Sequence, residues 1–342
     1  MRVLFKLILF WTVALFWGVS VSVASEKPKI PVIIDTDMAS EDWLAMIYLF
    51  QHPEVDLKAI TVAGTGEAHC NPGVENAIKL LNAAKHPPVP VTCGREHPGQ
   101  FGHDFPDEWR ASQDAFLPVK LYGPLEEPAA LPAKELLKQH ILASKEKVVL
   151  VVLGPLTNVA DAIEAYPQII NNLKMIYVMG GAVFHEGNIH TVTDIPNKVS
   201  EWNLFVDPKA AYDVVESGAP ITLVPLDATQ YVPITAEIIK VVGQTKKTPA
   251  AALFLDILET FQDDITSQQW HFWDTLTATL AIDESHAKIE TYPIKVQIIP
   301  LAVAGQTVVC EEGKPVRIAT FADQAQFQEK LLKSLNNSEK AS

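Results

Sequence analysis

The sequence predicts an α/β fold: one domain built on an open, mostly parallel sheet with helices on both faces. Three observations carry this. Short apolar, β-rich runs alternate with helix-like segments along nearly the whole chain. The run over residues 147–153 is apolar throughout, as in a strand covered on both faces. And 48% of the 342 residues are hydrophobic against 20% charged, enough apolar material for a large core.

In order, residues 29–35 read as a strand ending in acidic residues, and 43–51 as a helix. Residues 57–63 are a second strand, followed by a turn and a helix over 74–84. A short strand over 89–92, a helix over 134–143, the buried strand over 147–153 and a helix over 156–165 come next. Further strands are expected at 175–179, 221–225 and 294–299. Two stretches break the alternation: 97–123 is aromatic, acidic and rich in Pro and Gly, and 185–200 is polar. Irregular segments of such length inside a compact domain serve as lids over binding sites. The domain is read as residues 29–336, with a polar, disordered tail over 337–342.

The formal net charge is −14 and the pI about 5.1. No basic stripe is present for phosphate backbones, so nucleic acid is excluded as a partner. Arg2 and Lys6 precede an apolar run over residues 7–19, and Ser22-Val23-Ala24 follows with the small residues a signal peptidase reads. Residues 1–24 are therefore read as a secretory signal peptide, and the protein as exported, periplasmic or secreted, with no stable membrane insertion after cleavage. An uncleaved anchor is the alternative. No Cys follows the run, so a lipoprotein anchor is not supported. Cys70, Cys93 and Cys310 match no metal framework. Export would permit one pair, but the simpler reading is three small side chains in or near the core.

The strongest local feature is Ile33-Ile34-Asp35-Thr36-Asp37-Met38-Ala39-Ser40-Glu41-Asp42, an apolar strand running straight into four carboxylates. Ligands of open α/β sheets bind beyond the carboxyl ends of strands. Crowded carboxylates there repel unless a cation neutralises them, and hard oxygen donors in a flexible loop suit Ca²⁺. A helix N-terminus would account for Glu41 and Asp42 but not for Asp35 and Asp37 as well. Haloacid dehalogenase-like phosphatases, which use Mg²⁺, also begin with a strand and Asp-x-Asp. Ala39 stands where they carry Thr or Val, and no partner Lys motif follows.

Five segments in order resemble the inosine-uridine preferring nucleoside hydrolase family. They are Asp35-Thr36-Asp37 through Asp42; Leu153-Gly154-Pro155-Leu156-Thr157-Asn158; Met179-Gly180-Gly181 with Gly187-Asn188; Glu201-Trp202-Asn203 with Asp207-Pro208; and Trp273-Asp274-Thr275-Leu276. The resemblance implies the nucleoside hydrolase fold and hydrolysis of the N-glycosidic bond of a ribonucleoside to free base and ribose, serving nucleoside salvage. It implies a calcium ion held by Asp37, Asp42, Asp274 and the main-chain carbonyl of Thr157, with Asp37 as general base on the attacking water. Asn188, Glu201 and Asn203, with the neighbouring Trp202 and Glu41, fall at ribose-binding positions, and Asp35 supports the loop from behind. Relatives form homodimers or homotetramers. The residue types also permit blander roles: Thr157 and Asp274 could cap helices, Asn188 could serve a turn, and Glu201 could be a surface acid. A protein that binds a nucleoside or sugar without turnover is the remaining alternative.

Three departures from the family pattern matter. Ala39 replaces a glycine, which would strain a left-handed backbone there. Glu41 replaces an Asp beside the ribose. Trp273 stands where pyrimidine-accepting relatives carry a His that protonates the leaving base. It resembles the Trp that stacks on the base in purine-preferring relatives, where stacking favours protonation of the leaving base, so Trp273 is a candidate catalytic residue and a purine nucleoside is expected. A second stacking residue should come from a loop, with Trp109 first and Phe105 next. His69, His103 and His271 are candidate acids, and Glu67 and His69 lie in an altered loop after the second strand.

Overall fold

The computed structural model describes residues 28–116 and 120–337. The signal segment over 1–24, and all of the tail except Asn337, lie outside the described residues.

The first half alternates as expected: β1 (Ile30–Thr36), α1 (Ser40–Gln51), β2 (Val55–Val62), α2 (Cys70–Ala83), β3 (Val91–Cys93), α3 (Asp107–Asp114), α4 (Ala133–Ala143), β4 (Val148–Val152), α5 (Thr157–Ala165) and β5 (Leu173–Met179). Short helices α6 (Ile189–Val192) and α7 (Trp202–Val206) precede α8 (Pro208–Glu216) and β6 (Ile221–Val224). Five helices then follow without a strand between them: α9 (Leu226–Thr229), α10 (Ala236–Thr245), α11 (Pro249–Thr260), α12 (Gln262–Gln268) and α13 (Trp273–Ile282). The chain closes with β7 (Ala287–Val296), β8 (Thr307–Val309), β9 (Lys314–Ala322) and α14 (Gln324–Leu335).

Among the described residues, nine strands form one sheet in the order β3-β2-β1-β4-β5-β6-β9-β7-β8. Every pairing from β3 to β9 is parallel, and β7 pairs antiparallel with both β9 and β8. The side-chain alternation of a strand explains why two cores exist. Along β4, Val149 and Val151 join one core while Val148, Leu150 and Val152 join the other. The first core packs α1, α2, α11, α13 and α14 through Trp43, Leu80, Phe254, Leu276 and Leu331. The second packs α4, α5 and α8 through Leu137, Val159 and Val214. With both faces covered, the central strands can be apolar at every position, which is why β4 reads VVLVV. Among the described residues, no helix is long and apolar enough to cross a membrane.

The strand order turns at β1. From there the chain winds outward to β2 and β3, then crosses back to β4 on the other side. The carboxyl ends of β1 and β4 therefore flank a crevice, the place where open α/β sheets bind ligands. The two irregular stretches contain the short helices α3 and α6 and are not wholly without structure.

Candidate active site

A cavity of about 300 Å³, the scale of a small-molecule site, opens at this crevice. Its floor begins where β1 ends. The chain turns through Met38, which takes the left-handed backbone (φ 61°), while Ala39 is extended at φ −59°, ψ 156°. The strain expected at Ala39 is thus absent, because the turn places its positive φ one residue earlier. One carboxylate organises this turn: Asp42 Oδ2 accepts from the Thr36 hydroxyl, from Asp37 N at 3.1 Å and from Met38 N at 3.0 Å. Its Oδ1 is buried without a hydrogen-bond partner.

Asp37 sits between two glycines. A Cβ on Gly66 would lie 2.0 Å from Asp37 Cβ, and one on Gly154 would lie 2.7 Å from it. Its Oδ2 accepts from Glu67 N at 3.2 Å. Asp35 lies behind, fully buried, with Oδ1 accepting from Thr61 Oγ1 at 2.5 Å and Asn158 Nδ2 at 2.7 Å. Asp274 enters from the first turn of α13, buried, with Oδ1 unpartnered. It is not the helix cap, a position held by Phe272.

Glu201 performs two structural roles that its residue type alone did not announce. It caps α7, accepting from Asn203 N at 2.8 Å and Leu204 N at 3.4 Å, and it also accepts from Gly181 N at 3.0 Å on the cavity wall. It is buried rather than a surface acid. Asn203 Nδ2 donates to Leu153 O at 2.9 Å and Met179 O at 3.2 Å, which leaves its amide oxygen for a ligand. Asn188 Oδ1 and Trp202 Nε1 are buried and unpartnered on the same wall.

Thr157 is the predicted site residue whose side chain the structure does not bring to the cavity. It opens α5 without capping it, and its hydroxyl is engaged beneath the wall by Thr65 Oγ1 at 2.9 Å and Asp207 Oδ2 at 3.0 Å. The candidate acids are also elsewhere. His69 binds Asp114 at 2.8 Å and His103 stacks on Phe205 at 4.2 Å, while the His271 ring lies 5.8 Å from that of Trp273 but does not itself line the cavity. Glu67 does line the cavity.

Burial dominates the electrostatics. It pushes Asp37 up to about 6 and Glu41, Glu201 and the supporting Asp35 up to about 7. Asp42, Asp274 and Glu67 are raised well above the carboxylate range, first by burial and then by neighbouring carboxylates. Among the described residues, the cavity lining contains no Lys, Arg or His to offset them. Buried, mutually repelling carboxylates with orphan oxygens on Asp42 and Asp274 fit a hard cation by donor chemistry. Among the described residues, no three acidic or other ligating side chains are already drawn together as a metal-binding group.

The roof is aromatic. Trp109 from α3 lies 5.3 Å from Trp202, and Phe105 stacks on Trp202 at 5.0 Å. Trp273 contributes from the start of α13, with Trp270 at 6.3 Å. The helix α3 is pinned by Arg110 to Gly64 O at 2.7 Å, by His69 to Asp114, and by Asn76 to the carbonyl of Asp114 at 3.1 Å. Cys70 and Cys93 form a disulfide at this anchor, correcting the reading of three free cysteines; Cys310 remains free. Trp270, Phe261, Glu108 and Asp264 also line the cavity and were missed in the sequence. The signal was there: Phe261, Trp270, Phe272 and Trp273 cluster directly before Asp274.

The sequence model of the inosine-uridine preferring nucleoside hydrolases matches residues 32–329. The pyrimidine-specific ribonucleoside hydrolase RihA of Klebsiella pneumoniae (strain 342) is 29% identical over 246 residues, covering 71% of this chain and 75% of that protein. A RihA of Klebsiella pneumoniae subsp. pneumoniae is 30% identical over 251 residues, with the same coverage of 71% and 75%. An inosine-uridine preferring nucleoside hydrolase from Bacillus anthracis superposes with a TM-score of 0.79 at 26% identity, covering 90% of this chain and 99% of that one. A purine-preferring ribonucleoside hydrolase from Gardnerella vaginalis shares the fold, with a TM-score of 0.76 at 23% identity and coverage of 91% and 100%.

Proposed function

The chain belongs to the inosine-uridine preferring nucleoside hydrolase family, and on that premise we propose a calcium-dependent enzyme that prefers purine ribonucleosides. Membership makes it a hydrolase of N-glycosyl compounds acting on ribonucleosides. The phosphatase alternative falls with it. The observation that carries the finer reading is the convergence of Asp37, Asp42 and Asp274 on one cavity with Glu201, Asn203 and Asn188, under the ring of Trp273.

Asp37, Asp42 and Asp274, with the carbonyl of Thr157, would hold the ion. When bound, calcium supplies the positive charge that engages the ribose diol and polarises water. Asp37, fixed between Gly66 and Gly154, accepts the proton from the attacking water. Glu201, Asn203 and Asn188 receive ribose hydroxyls, Glu41 stands beside them, and Trp202 closes the wall. Positive charge that develops on the ribose ring as the glycosidic bond breaks is stabilised by the surrounding carboxylates. Trp273 and Trp109 offer the base aromatic faces.

The RihA relatives are named pyrimidine-specific, which favours a second reading in which uridine or cytidine is preferred. Release of ribose from inosine, guanosine, uridine and cytidine, with and without EDTA, separates the two. Loss of all turnover in EDTA that calcium restores supports the ion. Faster uridine than inosine hydrolysis would overturn the purine preference.

Export through the segment over residues 1–24 is also proposed, and the Cys70–Cys93 disulfide supports an oxidising compartment. Assembly as a homodimer or homotetramer is proposed from family resemblance and is read by sedimentation.

A further inference from the structure

We propose that the base subsite is built for a positively charged nucleobase, such as an N-alkylated purinium or a pyridinium ribonucleoside. This rests on the hydrolase reading above and narrows its substrate class.

The charges divide into two groups. Floor acids, led by Asp37, Asp42 and Asp274, are buried at the strand ends and are accounted for by the ion and the ribose. Glu108 on α3 and Asp264 on α12 also face the cavity, yet both are exposed, and so lie at its mouth. Neither has a part in holding the ion or the sugar. They stand on or beside the elements that supply Trp109 and Trp270. Carboxylates around a water-filled mouth concentrate cations and repel anions.

The second observation is aromatic. Trp109, Trp202, Trp270 and Trp273 all line the space below those two acids. The face of a Trp ring attracts a cation within about 6 Å, and boxes of such rings with acidic rims recognise quaternary nitrogen. Trp202 Nε1 is unpartnered in a residue only 6% exposed, so one polar atom of this wall awaits a ligand acceptor.

The third observation is the leaving group. A neutral base must gain a proton as it departs. Among the described residues no His, Lys or Arg lines the cavity; His69 is held by Asp114, His103 by Phe205, and the His271 ring rests against Trp273 at 5.8 Å without itself lining the cavity. A cationic base needs no such proton. The water oxygen bonds to C1′, the C1′–N bond breaks, and its electron pair cancels the charge on the base. The water proton passes to Asp37 and then to solvent. Ribose, a neutral base and one proton result.

The test uses the calcium-loaded full chain with guanosine, 7-methylguanosine and nicotinamide riboside, each kcat/KM divided by the uncatalysed hydrolysis rate. We expect the normalised value for the cationic substrates to exceed that for guanosine by about 10-fold, with the excess shrinking as salt rises. In the double variant E108Q/D264N the cationic-to-neutral ratio should fall about 5-fold, mainly through KM. An unchanged ratio in the variant, or no normalised preference in the wild type, would overturn the proposal while guanosine turnover leaves the hydrolase intact. Turnover of uridine but of none of the three would overturn the proposal and leave the hydrolase intact; no turnover of the three or of uridine would remove the hydrolase reading itself.

Discussion

The floor and the mouth of the cavity are built by different physics. The floor is backbone-made. It lies where parallel strands end, its carboxylates Asp37, Asp42, Glu201 and Asp274 are buried, and the first three are fixed by main-chain N–H groups or by glycines that leave no room for a Cβ. The mouth is side-chain-made. Trp109 on the short helix α3 and Trp270 in the link after α12 present partly exposed rings, and α3 is tied down by a few side-chain bonds beside one disulfide. A reaction that needs a carboxylate held to a fraction of an ångström belongs on the first. Choice of base belongs on the second, where rings can be exchanged without disturbing the sheet.

The sharpest way to break this contrast is at the floor. Asp37→Ala should lower kcat by about 10³-fold or more, the scale of losing a general base together with an ion ligand, measured by ribose release. The metal-free variant should melt at or above the wild-type Tm, because a buried like charge has gone, and calcium should raise the Tm of the wild type more than that of the variant. A Tm lowered by several degrees would mean that Asp37 holds the fold and not only the site. Next in size is Gly66→Ala, whose new methyl would meet Asp37 at 2.0 Å. A loss of kcat of about 10²-fold with little change in KM is expected, since small displacements of a reacting group are costly.

At the mouth the effects should be smaller and should fall on recognition. Trp273→Ala should cost about 10-fold in kcat/KM for inosine and less for a pyrimidine nucleoside, measured as the ratio of the two. Equal losses would take Trp273 out of base recognition. The smallest effect on activity is expected from replacing Cys70 and Cys93 together by Ser. Stability should fall by about 3 kcal/mol in denaturant titrations, from the loop the bridge closes, while kcat/KM falls only a few-fold. An unchanged KM would show that the pinning of α3 does not depend on the bridge.

The same contrast decided what could be read from the sequence. The floor was legible because its residues follow strands whose apolar runs announce themselves, and because Asp37, Asp42, Glu201 and Asp274 fall in ordered motifs. The mouth was only half legible. Trp109 and Trp273 were anticipated, but Glu108 and Asp264 sit on helices whose patterns resemble ordinary surface, and Trp270 lies in the link between α12 and α13. Pairing of Cys70 with Cys93 is a contact across α2 and β3 that no local spacing encodes. Of the antiparallel corner only the end of β7 was expected, in the strand over 294–299; β8 and β9 escaped, and the rest of β7 carries exposed and half-buried residues that dilute its apolar signal. At Met38 the reading failed by one position, since a turn's positive φ depends on backbone geometry that residue type only biases.

The acids of the floor are far apart along the chain, from Asp37 to Asp274. The chain emerging from a ribosome carries the first of them long before the last. Until α13 has been synthesised and docked against α1, Asp274 is missing and the cavity lacks one wall. A chain that ends before α13 therefore lacks the last carboxylate of the site and should release no ribose.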